Sequence, residues 1–264
     1  MSDYEKNGYE LFKGILSLEY INEIRSKMLQ ILSSYIPDSQ DIDTGFEEIT
    51  NKSATLRGNV YKVFGSLADI PLVLAQPSVK EKLSELGFNN YTMQDPSIVC
   101  MEPNNNNYLF LPHQDLAAQQ SLKSASIWIP LSEGENIGGV EFCSGSHKHG
   151  PIKHDISETG HNVINHEILE SHPIHSILDY KLGDCVIIDG YVVHWSVGNS
   201  GKKMRWTAIF RIDEVSDTNW LNKSLAPFDA SSYIDQRSNE ERLKEAAEKS
   251  KIELSSSVMG KKRR

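Results

Sequence analysis

Two histidines, an aspartate and an arginine have the types and spacing for metal and anion chemistry. The stretch Gly183–Ile212, GDCVIIDGYVVHWSVGNSGKKMRWTAIFRI, is two apolar runs around a Gly-Asn-Ser-Gly punctuation, which is the pattern of a β-hairpin. His194 and Arg205 interrupt those runs. With Ser200-Gly201 as a two-residue turn, Ser196 falls opposite Arg205, and strand alternation puts His194, Ser196 and Arg205 on one face. Arg205 is then a diagonal cross-strand neighbour of His194, roughly 7–8 Å away. Of the histidines, only His113 has an acidic residue two positions on, in Pro112-His113-Gln114-Asp115. On a strand, His113 and Asp115 point together while Gln114 points away. Two histidines and one carboxylate with open positions are the ligand set of non-haem Fe(II) centres. His113, Asp115 and His194 would complete such a set, although a His-x-Asp pair alone equally suits a polar surface strand.

The elements that must carry these residues come late in the chain. Gly8–Lys13 reads as a short strand, and Ile21, Ile24, Met28, Ile31, Leu32 and Tyr35 mark an amphipathic helix over about Leu18–Tyr35. The polar Asp38–Ser53 segment reads as a loop. A second helical stretch lies near Asn59–Leu74, where Pro71 must kink or end it. Ser78-x-x-Glu81 is a capping box that opens a short helix, and Gly87 stops it. From about Asn90 the texture turns to short β-rich runs, Tyr91–Met101, Tyr108–Gln119, Ser124–Leu131, Gly139–Ser144, Ile174–Tyr180, Asp184–Val197 and Met204–Ile212. Turn residues separate them, which suggests a sandwich, barrel or jelly roll. The polar, His-rich Gly145–Ser171 segment reads as a loop over a pocket mouth. Its histidines share no ligand spacing with the three candidates. Trp128, Trp195 and Trp206 read as core.

Composition narrows the classes. The chain has 264 residues, 39% of them apolar, enough for a sizeable core, and its net charge of −9 argues against nucleic-acid and anionic-membrane partners. Cys100, Cys143 and Cys185 are odd in number and form no CxxC, which favours a reducing compartment over a disulfide framework. The first residues, MSDYEKNGYE, hold no apolar signal segment, and no run reaches transmembrane length, so a cytoplasmic location is expected. We expect one domain over 1–235, with N-terminal helices and a β core. A charged helix opened by Ser238-x-x-Glu241 and a basic tail from Gly260 should fill 236–264.

The motifs come in a recognisable order. His113-Gln-Asp115, Ser126-Ile-Trp-Ile-Pro-Leu131, Gly138-Gly-Val-Glu-Phe-Cys-Ser-Gly-Ser-His147, and Gly183-Asp-Cys-Val-Ile-Ile-Asp189 leading to His194 and Arg205 resemble the phytanoyl-CoA dioxygenase family. Asn7-Gly8-Tyr9 followed by Leu16-Ser17-Leu18-Glu19 is similar to that family's opening. The resemblance implies a mainly β fold with flanking helices, the double-stranded β-helix (a cupin-like jelly roll). It implies Fe(II) held by His113, Asp115 and His194, with 2-oxoglutarate as cosubstrate and O2 as oxidant. The activity so implied is hydroxylation of a small organic metabolite with release of succinate and CO2. Arg205 would anchor the 5-carboxylate of 2-oxoglutarate through its planar fork, helped by the Ser196 hydroxyl. Met101 departs from the polar 2-oxoglutarate contact that relatives often carry there. Related halogenases replace the carboxylate ligand with a small residue, so Asp115 favours hydroxylation. Gln119 shares the face of Asp115 if that strand continues, which makes it a candidate pocket-lining residue. The alternatives are a non-catalytic jelly-roll binding module and a cupin-like metalloenzyme that needs no 2-oxoglutarate.

Overall fold

The computed structural model describes residues 2–216 apart from 107–108, 116–120, 153, 157–161 and 165. Gln119 and the expected C-terminal helix and basic tail lie outside the described residues. In order, the elements are α1 (Asp3–Asn7), β1 (Tyr9–Phe12), α2 (Leu18–Ser33), α3 (Ile42–Lys52), α4 (Ala54–Gly65), α5 (Pro77–Glu85), β2 (Tyr91–Met101), β3 (Ser124–Pro130) and β4 (Gly139–Cys143). Then follow β5 (His154–Ile156), β6 (Asn162–Ile164), α6 (His166–Ser171), β7 (Ile174–Ile177), β8 (Cys185–Asp189), β9 (His194–Val197) and β10 (Arg205–Glu214). All strand pairs are antiparallel. A five-stranded sheet runs β1-β8-β3-β10-β2, a three-stranded sheet runs β7-β4-β9, and β5 and β6 form a separate pair.

The five-stranded sheet is covered on both faces, which explains the near-continuous apolar runs of its strands. Alternation sends Ile127, Ile129, Cys185, Ile187, Trp206, Ala208, Phe210 and Ile212 to a core shared with the helices, where Ile21, Ile24, Met28, Phe46, Ile49 and Phe64 meet them. The opposite face sends Trp128, Val186 and Ile188 towards Val140, Phe142 and Ile177 of the three-stranded sheet. The result is a two-sheet jelly roll with helices packed on its larger sheet, as the sequence implied.

Several expectations fail for physical reasons; among them, the 145–171 segment read as a loop holds β5, β6 and α6. The 38–53 segment is not a loop: Ile42, Phe46 and Ile49 lie at helical spacing and are buried, and Asp41 caps α3 by accepting the Thr44 N–H at 2.9 Å. The Ser78 capping box does not form. Pro77 takes the first helical position behind Gln76, and the Ser78 hydroxyl donates to Ile15 O at 2.6 Å. The Gly183–Ile212 hairpin also does not form, because β9 pairs with β4 in one sheet and β10 pairs with β2 and β3 in the other. The polar residues of its supposed turn bond neighbouring loops instead. Asn199 Nδ2 donates to Met101 O and Lys203 O, each at 2.8 Å, and Ser200 N donates to Asn136 O at 3.0 Å. The 198–204 connection is therefore a crossover between sheets. The expected strand at Tyr108–Gln119 is, where described, irregular chain with one isolated bridge, His113 to His194.

Candidate metal centre and its cavity

His194 opens β9 and is fixed by pairing opposite Phe142 of β4. His113 is held to it by a reciprocal backbone pair, His113 N to His194 O and His194 N to His113 O, both 3.0 Å. Each imidazole donates Nδ1–H to a carbonyl two residues upstream, His113 to Leu111 O at 2.6 Å and His194 to Val192 O at 3.1 Å. Those bonds fix the tautomer and leave both Nε2 lone pairs free to bind a metal. His113 Nε2 lies 3.7 Å from Asp115 Oδ1, and His194 Nε2 lies 3.7 Å from Asp115 Oδ2. The ligand atoms of the three residues all lie within 4.8 Å of one another. Gln114, between them, points away as expected: its amide donates to Gly150 O at 2.9 Å and accepts from Ile152 N at 2.8 Å.

The electrostatics prepare this cluster for a cation. Burial alone would raise the Asp115 carboxyl, but Arg211, His194, His113 and the Ser126 hydroxyl together hold it well below the usual carboxylate range. Burial and then repulsion from His194 push His113 down to about 4. At neutral pH the group is an anionic carboxylate with a neutral imidazole at His113, the protonation state a metal requires. Two imidazole nitrogens and one carboxylate match a non-haem iron site with open positions, so the residues present fit iron.

The three ligand candidates line a cavity of about 260 Å³ that also holds Arg205, Ser196 and Arg211. On β10 the alternate residues Arg205, Thr207, Ile209 and Arg211 all face this cavity. The sequence thus placed His194, Ser196 and Arg205 in one interior, but through the wrong pairing: Ser196 sits opposite Val140, not Arg205, and Arg205 sits opposite Met101. Arg205 spans the gap between the sheets, its Nη1 donating to Gly139 O at 2.9 Å and Val197 O at 2.7 Å. Its Nε and Nη2 have no protein partner among the described residues. Tyr180 packs edge-on against Trp128 at 5.0 Å, and its buried hydroxyl has no hydrogen-bond partner among the described residues. Burial pushes that phenol up to about 12, and Arg205 acts against the rise. A buried guanidinium edge on the cavity wall suits the distal carboxylate of a dicarboxylate cosubstrate.

Four contributors were not singled out from the sequence. Arg211 and Ser126 bond the Asp115 carboxylate, and alternation along β10 from Arg205 was the signal for Arg211. Trp128 and Trp206 are core as expected, but Trp128 also lines the cavity with Trp195, which is only partly buried; Trp206 donates Nε1–H to Asp43 at 2.8 Å. Four other histidines bond protein groups. His147 donates to Glu5 O, His175 bonds the Tyr9 hydroxyl at 2.9 Å, and His149 meets His172 at 3.1 Å. None belongs to a three-residue metal cluster among the described residues. No helix among those residues is long and apolar enough to cross a membrane.

Solved structures share this fold at low identity. EctD from S. alaskensis, solved with 2-oxoglutarate and 5-hydroxyectoine, aligns with TM-score 0.57 and 14% identity over 81% of this chain and 75% of that one. SnoN, an epimerase solved with Fe3+, alpha-ketoglutarate and nogalamycin RO, gives 0.56 and 14% over 85% and 88%. The carbocyclase SnoK from nogalamycin biosynthesis gives 0.54 and 17% over 86% and 90%. No curated protein sequence matches. The profile of the phytanoyl-CoA dioxygenase (PhyH) family matches residues 4–207, a span that includes His113, Asp115, His194 and Arg205, and the chain belongs to that family.

Proposed function

We propose that this protein is an Fe(II)- and 2-oxoglutarate-dependent dioxygenase that hydroxylates a small organic molecule. The observation that carries the reading is the convergence of His113, Asp115 and His194 within 4.8 Å on the wall of a cavity that also holds the buried Arg205. When bound, iron and 2-oxoglutarate supply the oxidant from O2, 2-oxoglutarate leaving as succinate and CO2 while the substrate is oxidised. The chain's own residues do the rest. His113, Asp115 and His194 fix the ligand geometry, and Arg205, with Ser196 on the wall of the same cavity, receives the 5-carboxylate in a low-dielectric setting where that pairing is strong. Phe110, Trp128 and Trp195 line the cavity and restrict water around the reacting atoms. With iron bound, the carboxylate of Asp115 would serve as the third protein ligand and leave no ligand place to a halide, which favours hydroxylation over halogenation. The net charge of −9 and the three free, buried cysteines fit a cytoplasmic enzyme of small molecules rather than a nucleic-acid binder.

The test is turnover. Purified protein given Fe(II), ascorbate, 2-oxoglutarate and a panel of small metabolites should form succinate, with stimulation by the true substrate. His113→Ala and Asp115→Ala should each reduce succinate to background. Metal-dependent turnover that proceeds without 2-oxoglutarate would place the protein among 2-oxoglutarate-independent cupin-like enzymes instead.

A further inference from the structure

Asp115 is held differently from the two histidines. His113 and His194 lock to each other through their backbones, and His194 belongs to a strand. Asp115 lies two residues past that bridge and outside every named strand. Its carboxylate instead meets two donors from the five-stranded sheet. Ser126 Oγ donates to Oδ2 at 2.5 Å, and Arg211 Nη2 donates to Oδ1 at 2.7 Å. These donors are directly opposed partners in the β3–β10 register, so one cross-strand pair delivers both. The β10–β2 register breaks between Ile209 and Arg211, while the β3–β10 register runs through without a shift. The irregularity thus falls on the side away from Ser126 and preserves the Ser126–Arg211 pair.

We propose that Ser126 and Arg211 form a clamp that sets the plane of the Asp115 carboxylate at the metal centre, Arg211 being a positioning residue. The inference rests on the iron reading above. An Asp carboxylate rotates broadly about its last torsion, and it can bind a metal through one oxygen or two. A donor on each oxygen fixes that rotation, and each oxygen keeps a further lone pair for the metal. The Arg211 bond is charge-assisted and therefore the stronger of the two. Asp115 is only 5% exposed, so solvent cannot easily replace either donor.

The experiment uses the full chain without oxygen. Fe(II) is titrated by calorimetry, and the visible charge-transfer band of the Fe(II)–2-oxoglutarate complex is recorded, for the unmodified protein and for Arg211→Met, Arg211→Lys and Ser126→Ala. Loss of a partner that orients a metal ligand typically costs 10–100-fold in metal affinity, and Arg211→Met should weaken Fe(II) by about that much and shift the band. Arg211→Lys, which keeps the charge and one donor, should recover part of the affinity. Ser126→Ala should give a smaller loss in the same direction. If Arg211→Met binds Fe(II) as tightly as the unmodified protein with an unshifted band, the clamp is overturned while the iron reading stands. If Arg211→Met does not fold, unchanged affinity in both other variants overturns it equally. An unmodified protein that takes up no Fe(II) defeats the iron reading itself, a separate result.

Discussion

Arg205 is the residue at which the fold and the proposed chemistry are most tightly joined. One of its nitrogens is spent on Gly139 O and Val197 O, which immobilises the side chain before any ligand arrives. In the proposed site the Nε and Nη2 edge would therefore meet a carboxylate with little entropy left to lose. Burial lowers its proton affinity somewhat, yet a guanidinium stays charged at any pH the protein experiences. Each hydrogen bond from a charged donor contributes about 1.5–3 kcal/mol, so Arg205→Ala should weaken 2-oxoglutarate binding by about 10–100-fold. Fe(II) affinity measured without 2-oxoglutarate should stay as it was, because Arg205 touches none of the three ligand candidates. An anaerobic 2-oxoglutarate titration of the Fe(II)-loaded protein decides it. Unchanged 2-oxoglutarate affinity would remove Arg205 from the cosubstrate site.

At the scale of elements, β4 is what brings the two sheets close enough for Arg205 to reach across. A Cβ on Gly139 would sit 2.0 Å from Ile177 O, and one on Gly138, whose φ is +80°, would sit 2.4 Å from Val197 O and 2.7 Å from Arg205 Nη1. These neighbours are mostly backbone in paired strands, which cannot move cheaply. Gly139→Ala should therefore cost about 1–3 kcal/mol in urea unfolding and weaken 2-oxoglutarate together with stability. A fully stable Gly139→Ala with normal binding would show that the close approach is dispensable. The same elements show what the sequence could reveal. His113, Asp115 and His194 were legible because ligand chemistry imposes a spacing on residue types. Arg205 reaches the expected cavity from an unexpected sheet, since the jelly roll sends consecutive strands β9 and β10 to opposite walls of one gap. Short-range turn residues cannot distinguish that crossover from a hairpin. Helix α3 was hidden by its polar neighbours although Ile42, Phe46 and Ile49 carried the helical period. Alternation from Arg205 could have put Arg211 on the cavity face, but its partnership with Ser126 was invisible, because it exists only in the register between β3 and β10.

On the scale of the whole molecule, Asp189 ties the first residues of the chain to the turn that leads to His194 and the candidate metal centre. Its backbone N donates to Gly8 O at 2.7 Å, its Oδ1 accepts from Tyr191 N at 2.8 Å, and the Tyr4 hydroxyl of α1 donates to its Oδ2 at 3.4 Å. Those two donors lower its pKa, but burial outweighs them and raises it from 3.8 to about 6. The folded state therefore binds a proton that the unfolded chain has released between these values. The sign follows: stabilisation from protonated Asp189 is complete below about 3.8, falls as pH rises through about 6, and is gone above it. A gap of roughly two pKa units corresponds to about 3 kcal/mol at most. Asp189→Asn keeps an oxygen for Tyr191 N and removes the titration. Relative to the unmodified protein, it should thus gain stability as pH rises from 4 to 7, by on the order of 2–3 kcal/mol, and show a constant difference beyond that. Urea unfolding of the two proteins at several pH values measures that difference directly, and groups common to both cancel. A difference that does not change with pH would mean that Asp189 is already ionised in the folded protein at pH 4, with its bonds from the Tyr4 hydroxyl and Tyr191 N outweighing the cost of burial.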